Sequence, residues 1–598
     1  MTTVDVPSRI LRIDLSNRTV ESESIPPRWR QRYLGGKGLG ARYLYEELEP
    51  GVDPLGEDNV LCLFRGPFSG YLPGETRYAA ITKSPLTGIF VDSYSGGDFA
   101  GTLLGALGDH LGLLIEGQAT EPVELHLEAG EVSIQSATEK WGLDTESLAT
   151  SIDSGEVAGI GPAGERLVRY ATIATDGGDH HAGRGGTGAV MGSKRLKAII
   201  AQGEPPADHD LKQLKARYED RFESDPRGRW HQSSGTVETV DAADVAGVLP
   251  TRGWQEGTFK DAEDIGVDAV KSAATGREGR PPGIPGDFDI DGTVPRGGLG
   301  IALGANLGIG DMEDVVTLGR RCDEVGLDII EAGNALAWAM LANEQGIIDH
   351  EVTFGDAEAA RRLLDDIAER STLLGDYLAD GIDTAADNLG GEALVPTVKS
   401  MAVASYDPRP APSMALAFAT SDRGACHRRS RPVFDELFDT TDWSDTRRAE
   451  LVINEQNLRS LLWCYIVDDL TAPAFEEDLG IDYVESLGFD LDESDLRDIG
   501  ERVWTLTRLF NVREGMTASD DRLPAAFEVP LEGGPTAGAT IDPAVFETLR
   551  QEYYRQRSWD NAGRPTSGLL ERLDLLDVVD DPTLLADEPA ARSDIDNV

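Results

Sequence analysis

The spacing of apolar residues changes once along the chain, near residue 205, and this change constrains the fold more than any other feature. Before it, residues 8–23 and 123–135 alternate polar and apolar side chains around Ser16-Asn17 and Ala129-Gly130. That alternation is typical of β-hairpins. We therefore expect a sheet-rich N-terminal domain over residues 1–205.

The remaining two thirds of the chain predict helices. Residues 312–346 and 356–371 carry apolar side chains three and four positions apart, as in helices with one buried face. The Gly- and Pro-rich stretch 277–298 interrupts them, and the acidic tail from about Asp574 is expected to be a frayed end. The predicted class is α+β, with two mainly α-helical domains, 206–415 and 416–598, after the sheet domain.

The charge balance excludes several partners. The 598 residues include 106 Asp and Glu against 55 Lys and Arg, which gives a net charge of −51, and only ten of the basic residues are Lys. Such a surface repels nucleic acid and is typical of a protein that works in high salt, so we predict a halophilic source. An ordinary acidic protein is the alternative. The 40% hydrophobic content argues against disorder.

Cysteine spacing and segment hydropathy bear on the compartment. Cys62, Cys322, Cys426 and Cys464 form no CxxC pair, so neither a disulfide framework nor a zinc ribbon is expected. No run of 18 apolar residues and no leader-like N-terminus occurs. We predict a soluble protein of the reducing cytoplasm with no membrane partner, and a homo-oligomer is compatible with the sequence.

Glycine clusters in the first third could bring backbone N–H groups close to a large ligand. GRGGTG (183–188) has the G-x-G-x-x-G spacing, but TDGGDHHA precedes it where a strand should be, so a dinucleotide site is rejected. The helix-like AVMGSKRLKAI that follows would place free N–H groups at a helix start, which suits a phosphate. A tight turn is the alternative.

Three further positions are candidate site residues. Arg77 lies between a Gly-rich loop and an apolar run, which indicates an anion partner or else a surface charge. His427 lies among arginines, so we expect it to be neutral near pH 7, and a packing role is the alternative. Asp323 and Asp328 flank Gly326, where we expect a helix end that aims carboxylates at a ligand or simply caps a connection.

Ten motifs in order resemble the aldehyde ferredoxin oxidoreductase family. They are GGKGLGARYLYEEL, GPFSGYLPGETRYAAITKSPLTG, DSYSGG, GIGPAGE, GRGGTGAVMGSKRLKAI, CDEVGLD, YDPR, ATSDRGACH, FNVREG and YYRQRSWDNAGRPT. The resemblance runs from about Ile10 to about Leu575. It implies a sheet-rich base for two pyranopterins that hold one tungsten, or molybdenum, and two helical domains that close over them. It further implies oxidation of a small aldehyde to a carboxylate, with electrons leaving through a [4Fe-4S] cluster to ferredoxin or another acceptor.

The resemblance also assigns residues. Arg77 is similar to the arginine that joins pterin and cluster, and His427 to an active-site histidine. Two glycine loops that touch the pterin phosphates and a bridging Mg ion contain Tyr94, Gly96, Ala182 and Gly183, with Tyr94 and Ala182 binding Mg by their backbone carbonyls. The remaining matches are the pterin loop residues Asp323, Gly326, Leu327 and Asp328, the cofactor contact Trp463, and Cys464, which alone resembles a cluster ligand.

Departures from the family pattern leave two functions open. The family's CxxCxxxC segment is missing, and because a [4Fe-4S] cluster ordinarily needs four thiolates, we expect the usual electron exit to be absent. Arg296 and Gly298 stand where the family has two Glu, and Arg459 stands where it has an Asp. Tyr94 replaces an Asn, and His181 an Arg. The chain is either an oxidoreductase with an altered electron route or a catalytically degenerate pterin-binding or interaction subunit, with an unrelated ligand-binding role as a third reading.

Overall fold

The structure is a computed structural model that describes residues 6–204, 211–274, 276–277, 288–290, 295–580 and 583–586. Its N-terminal third holds two six-stranded sheets, and helices dominate the rest. The predicted fold class is confirmed. The three domain boundaries remain a prediction.

The first sheet has the strand order β2-β1-β6-β3-β4-β5, in which β1 and β6 are parallel and the other neighbours antiparallel. Its first hairpin pairs Ile13 with Val20, as the alternation predicts. The strands are β1 (Arg9–Asp14), β2 (Thr19–Ser24), β3 (Leu61–Phe64), β4 (Tyr78–Lys83), β5 (Phe90–Ser95) and β6 (His110–Glu116).

The second sheet has the order β11-β10-β9-β12-β7-β8, in which β7 and β12 are parallel. The predicted hairpin at Ala129-Gly130 joins β7 and β8. The strands are β7 (Val123–Glu128), β8 (Glu131–Ser136), β9 (Glu156–Gly159), β10 (Ile173–Thr175), β11 (His180–Ala182) and β12 (Leu196–Gln202). Two further pairs are short: β13 (Gly276–Arg277) with β14 (Phe288–Asp289), and β15 (Thr397–Val398) with β16 (Met401–Ala402).

Successive side chains along the strands of the first sheet point to opposite faces, and the two faces belong to different hydrophobic cores. Leu63 and Leu113 share a buried cluster with Leu125 and Ile199 of the second sheet. Their neighbours Cys62 and Leu114 point to the opposite face and join the core of the helical domains. The first sheet is therefore covered on both sides, as its nearly continuous apolar strands require.

Six helices belong to the sheet region: α1 (Pro27–Tyr33), α2 (Gly36–Glu47), α3 (Gly97–Ala106), α4 (Thr145–Thr150), α5 (Pro162–Glu165) and α6 (Thr187–Ser193). Helix α6 begins directly after Gly186, whose φ of 83° suits glycine. The expectation that AVMGSKRLKAI is helical throughout was wrong in its second half, because Arg195 turns the chain at a φ of 55° and β12 follows.

Helices α7 to α23 form the rest of the molecule, as the three- and four-residue spacing predicts. They are α7 (Lys212–Ser224), α8 (Pro226–Ser234), α9 (Glu238–Ala246), α10 (Val267–Ala273), α11 (Gly297–Leu299), α12 (Met312–Val325), α13 (Ile329–Glu344), α14 (Ala357–Glu369), α15 (Leu373–Ala379), α16 (Ile382–Leu389), α17 (Pro412–Thr420), α18 (Val433–Phe438), α19 (Asp445–Tyr465), α20 (Ile481–Ser486), α21 (Glu493–Arg513), α22 (Pro543–Gln556) and α23 (Ser567–Arg572). Among the described residues, no helix combines the length and apolar content needed to cross a bilayer.

The predicted helix end at Gly326 is confirmed. Gly326 adopts a φ of 78° after α12, and the next helix begins with Asp328 as its cap, accepting a bond from the Ile330 amide. The turn is fixed to the sheet domain, since the Asp328 amide donates to the Tyr170 carbonyl at 3.1 Å.

The C-terminal segment after Asp574 is packed where the structure describes it, so the expectation of a frayed end from that residue was wrong. Asp574 and Asp577 form ion pairs with Arg28. Leu575 and Val578 are buried in the main core. The burial of these two apolar side chains explains the order up to residue 580. The acidic residues after 586 lie outside the described part.

Candidate active site

One cavity of about 700 Å³ lies between the two sheets' glycine loops and the helical domains. Nine of the twelve residues that the sequence singles out line it: Arg77, Tyr94, Gly96, Gly183, Asp323, Leu327, Asp328, His427 and Trp463. They lie just before β4, in β5 and directly after it, in the turn before α6, in the last turn of α12 and the turn that follows it, in the loop after α17 and near the end of α19. The fold thus brings the predicted site residues together from across the chain.

The other three predicted residues do not line the cavity. The carbonyl oxygen of Ala182 accepts a bond from the Thr187 hydroxyl at 3.0 Å. Gly326 allows close packing, because a Cβ there would lie 3.1 Å from the Gly161 nitrogen. Cys464 is fully buried and its thiol donates to the Ser460 carbonyl. The predicted Mg contacts of Tyr94 and Ala182 remain a prediction.

Arg77 has its anion partners within the protein. Its Nη2 lies 2.9 Å from Glu75 Oε2 and 3.4 Å from Asp468 Oδ1, and both acids are more than nine-tenths buried. Burial opposes ionisation of Glu75, but the charges of Arg77 and His180 outweigh it and hold the pKa of this carboxyl below its usual range. The sequence did not single out Glu75 or Asp468.

His180 bridges two carboxylates on the same side of the cavity. Its Nε2 lies 2.7 Å from Glu75 Oε1 and its Nδ1 lies 3.1 Å from Asp176 Oδ2. Burial lowers the pKa of His180, but hydrogen bonds to Asp176 and Glu75 more than reverse this and raise it. Arg296 lies beside this group and donates to the Asp179 carbonyl at 2.9 Å. Arg296 and Gly298, which stand where the family has two Glu, therefore both border the cavity.

A layer of aromatic and charged groups forms the wall at Trp463. The Tyr94 ring stacks on Trp463 with centroids 5.3 Å apart, and the Arg429 guanidinium lies 4.4 Å from the Trp463 ring centroid. Arg429 forms ion pairs with Asp92 and Asp422. These buried pairs hold the Arg429 guanidinium over the Trp463 ring, because moving Arg429 would separate charges inside the protein.

Arg184, in the turn before α6, forms an ion pair with Asp328. Its Nε lies 3.0 Å from Asp328 Oδ2 and its Nη2 lies 3.5 Å from Glu331 Oε2. Burial, opposed by Arg184, raises the pKa of Glu331 to about 8, so this carboxyl is neutral at pH 7. Arg184 is thus paired with one charged carboxylate, that of Asp328.

His427 is neutral, as the sequence predicts. Burial, followed by the charges of Arg431 and Arg428, lowers its pKa well below the usual value. Its Nδ1 is buried and finds no hydrogen-bond partner among the described residues. The Tyr406 ring packs edge-on at 6.1 Å. A neutral imidazole that lines the cavity can accept a proton from a ligand there.

Cys426, beside His427, also lines the cavity, and sequence reasoning did not select it. Arg423 Nη2 lies 3.1 Å from its sulfur. Burial raises the pKa of Cys426, but Arg423 and Arg429 lower it more, to about 7. The only signal in the sequence was the position of Cys426 within RGACHRR, between basic residues.

The cavity residues fit an anionic pterin cofactor. Eight arginines line it: Arg77, Arg184, Arg296, Arg320, Arg423, Arg428, Arg429 and Arg431. Buried nitrogens of Arg184 (Nη1), Arg423 (Nε) and Arg431 (Nε) have no hydrogen-bond partner among the described residues. A Cβ at Gly183 would meet nothing within 4 Å, so this backbone is open to a ligand. Guanidinium groups that line a cavity suit an anionic ligand there.

The residues do not fit a [4Fe-4S] cluster. All four cysteines are free and buried, but Cys62 lies in β3, Cys322 in α12 and Cys464 in α19, and of the four only Cys426 lines the cavity. Within the described part, no group of three or more His, Cys, Asp or Glu could hold a metal ion. Beside Arg77, where the resemblance puts the cluster, lie the buried carboxylates Glu75 and Asp468, which would repel an anionic cluster.

Family models cover almost the whole chain. A model described as aldehyde ferredoxin oxidoreductase, N-terminal domain, matches residues 10–203, and one described as aldehyde ferredoxin oxidoreductase, domains 2 and 3, matches residues 213–575. The chain therefore belongs to the aldehyde ferredoxin oxidoreductase family, and the predicted family membership is confirmed.

Curated relatives agree with this assignment. The chain is 33% identical to the tungsten-containing aldehyde ferredoxin oxidoreductase of Pyrococcus furiosus over 94% of its length and 98% of the relative's. It is 34% identical to the protein of that name from Thermococcus kodakarensis, over 93% of its length and 96% of the relative's. An aliphatic sulfonate oxidoreductase, WOR-like subunit, of Pyrococcus furiosus is 29% identical, over 94% and 96%. The expectation of an oxidoreductase agrees with these names.

A solved structure supports the fold. The active site complex BamBC of benzoyl coenzyme A reductase, in complex with 1,5-dienoyl-CoA, superposes with a TM-score of 0.79 at 21% identity, over 96% of this chain and 97% of that chain. At this identity the likeness concerns the fold alone.

Proposed function

We propose that the protein oxidises a small aldehyde to a carboxylate at a tungsten, or molybdenum, pyranopterin, and that the electrons leave without an internal [4Fe-4S] cluster. The balance is one aldehyde and one water giving one carboxylic acid, two protons and two electrons. The observation that carries the proposal is the cavity of about 700 Å³ that Asp323, Leu327 and Asp328 line together with a neutral His427. The curated relatives named as tungsten enzymes support the choice of cofactor.

The cofactor, when bound, supplies the two-electron oxidation. Arg184 and Arg423 would hold its anionic groups, and Trp463, stacked on Tyr94, would contact it from the cavity wall. The neutral imidazole of His427 would accept a proton as the aldehyde is oxidised. The enclosing domains would exclude bulk water, which strengthens every charge interaction in the cavity.

The electron acceptor must therefore come close to the cavity itself. Ferredoxin, or another soluble acceptor, would dock near the opening and take the electrons directly. Buried free cysteines and the acidic surface suit a reducing cytoplasm at high salt.

The experiment is anaerobic purification in high salt from a host that makes the cofactor, with W, Mo and Fe measured on one sample together with aldehyde-dependent dye reduction. We expect W or Mo near one per chain, and a loss of at least about 100-fold in rate for His427→Ala, the usual scale for a proton-transfer group. His126→Ala is the matched control, because His126 lies on β7 and contacts Glu124 outside the cavity. Absence of both metals would count against the proposal.

A degenerate pterin-binding subunit is the second candidate. The replacement of two acids by Arg296 and Gly298 in the cavity wall favours it, because a lost proton acceptor typically costs ~10²–10⁴ in rate. Bound metal without any aldehyde-dependent reduction would support this alternative.

A further inference from the structure

We propose that the substrate is an aldehyde with a second, anionic group, a carboxylate or phosphate, and that Arg428 binds this group at the His427 end of the cavity. This inference rests on the proposed function and names the substrate class of the same site.

Three arginines converge on one carboxylate there. Asp469 Oδ2 lies 3.1 Å from Arg428 Nε and 2.8 Å from Arg431 Nη2, and Asp469 Oδ1 lies 2.8 Å from Arg459 Nη1. A second carboxylate, Glu455, accepts from the Arg431 amide at 2.7 Å. Three guanidinium groups therefore share the Asp469 carboxylate beside His427.

Arg428 is the member of the group with donors to spare. It contacts Asp469 through Nε, and its Nη1 and Nη2 make no hydrogen bond to the residues that the structure describes. Its side chain is 32% exposed, against 24% for Arg431 and 17% for Arg459, and it lines the cavity next to His427. A guanidinium with two open terminal nitrogens matches a carboxylate or phosphate in fork geometry.

The charges around His427 also favour an anionic substrate. After burial, three arginines (Arg431, Arg428 and Arg184) lower the pKa of the ring, and one acid, Asp469, opposes them. Arg296 adds a further positive side chain to the cavity wall. A neutral aldehyde would leave the open donors of Arg428 unmatched, whereas an anionic one would pair with them.

The test compares substrates that differ in one group. We expect 4-oxobutanoate to have a higher kcat/KM than butanal with a dye acceptor, at the lowest salt at which the protein stays folded, because salt screens exposed charges. In Arg428→Gln the ratio of the two kcat/KM values should fall about 10- to 100-fold, the scale of one charge-assisted hydrogen bond. Arg428→Lys should keep part of the ratio. Arg448→Gln is the control, since Arg448 pairs with Glu436 and Asp445.

A second measurement does not need turnover. Succinate, but not the uncharged succinamide, should raise the unfolding temperature of the wild-type apoprotein, and Arg428→Gln should remove the shift. Glyceraldehyde 3-phosphate compared with glyceraldehyde distinguishes phosphate from carboxylate as the preferred group.

Each outcome is decisive. Equal kcat/KM for charged and neutral aldehydes in the wild type would overturn the inference while leaving aldehyde oxidation in place. Loss of W from Arg428→Gln would also overturn it, because Arg428 would then hold the cofactor. A succinate shift in a protein without metal or aldehyde oxidation would support the anion site and defeat the proposed function instead.

Discussion

The thiol of Cys464 donates to the carbonyl oxygen of Ser460, one turn earlier in α19, with a sulfur-to-oxygen distance of 3.1 Å. On its other side the sulfur packs 3.0 Å from the position that a Cβ on Gly38 would take. The residue that best matches a cluster ligand is thus bonded to its own helix and packed against α2.

The protein should therefore contain no iron, even when it is purified without oxygen. Cys464→Ser should keep the same W or Mo content, because the serine hydroxyl can donate to Ser460 as the thiol does. Metal analysis measures the iron content and the W or Mo content, and electron paramagnetic resonance of the dithionite-reduced protein tests for an iron-sulfur cluster. Iron near four per chain, or iron that disappears in Cys464→Ser, would show that the cysteines converge after all.

Cys426 should be the reactive cysteine. Arginines lower its pKa to about 7, whereas burial raises the pKa of Cys464 to about 12 and those of Cys62 and Cys322 as well. In the apoprotein, iodoacetamide should modify Cys426 with a rate that rises through about pH 7, as peptide mass spectrometry can follow. Arg423→Gln should move the midpoint upward. A wild-type midpoint above about 8.5, the value for a free thiol, would contradict this assignment.

Burial of a neutral His427 should make the protein less stable in acid. Because its folded pKa lies below its unfolded value, the unfolded chain binds a proton between these two pKa values that the folded chain does not, so stability falls as the pH drops below about 6.5. His427→Gln should remove up to about 1.4 kcal/mol per pH unit of this dependence. Denaturant unfolding from pH 5 to 7.5 at constant salt measures it, with His126→Gln as the control. Identical slopes for wild type and His427→Gln would refute the prediction.

Glu331 should make the protein less stable as the pH rises, which is the opposite of the effect of His427. Burial raises its pKa to about 8, so the folded chain holds a proton that the unfolded chain releases from about pH 4.3 upward, and stability is lost as the pH rises to about 8. Between pH 5 and 8, the free energy of unfolding of Glu331→Gln should rise relative to that of the wild type in the same unfolding assay. Glu358→Gln, at a residue that is 62% exposed, should show no such gain. The prediction fails if both variants behave alike.

Salt should stabilise the protein. A net charge of −51 repels itself across the surface, and 1 M salt shortens the screening distance to about 3 Å. We expect the unfolding temperature to rise between 0.2 and 3 M NaCl, and to rise less in sucrose of equal osmolality. A fall in this temperature with NaCl would rule out adaptation to high salt.

Sequence reasoning predicted the fold where the pattern is local. The hairpins at Ser16-Asn17 and Ala129-Gly130 and the helix end at Gly326 follow from alternation and glycine chemistry, and all three were found. The strand β12 was missed because Leu196–Gln202 (LKAIIAQ) does not alternate polar and apolar residues, and its pairing with β7 and β9 decides its conformation.

The site was predictable only in part. Motif resemblance selected Arg77 and His427, but not their partners Glu75, Asp468 and Asp469. Nothing in the local sequence marks these acids among 106. Their importance comes from burial beside arginines distant in the chain, such as Asp468 beside Arg77.

The buried ammonium of Lys37 bears on whether the cofactor is inserted during or after translation. Lys37 lies in α2, yet its partners include Asp422 and the rings of Trp463 and Trp504, all far along the chain. While the ribosome is still translating, the first domain offers this charge Asp92 alone, 3.4 Å from the ammonium, and it has no finished wall for the cavity. Delivery of the metal cofactor must therefore be post-translational, and a nascent or truncated chain ending before Asp422 has nothing complete for a maturation factor to load.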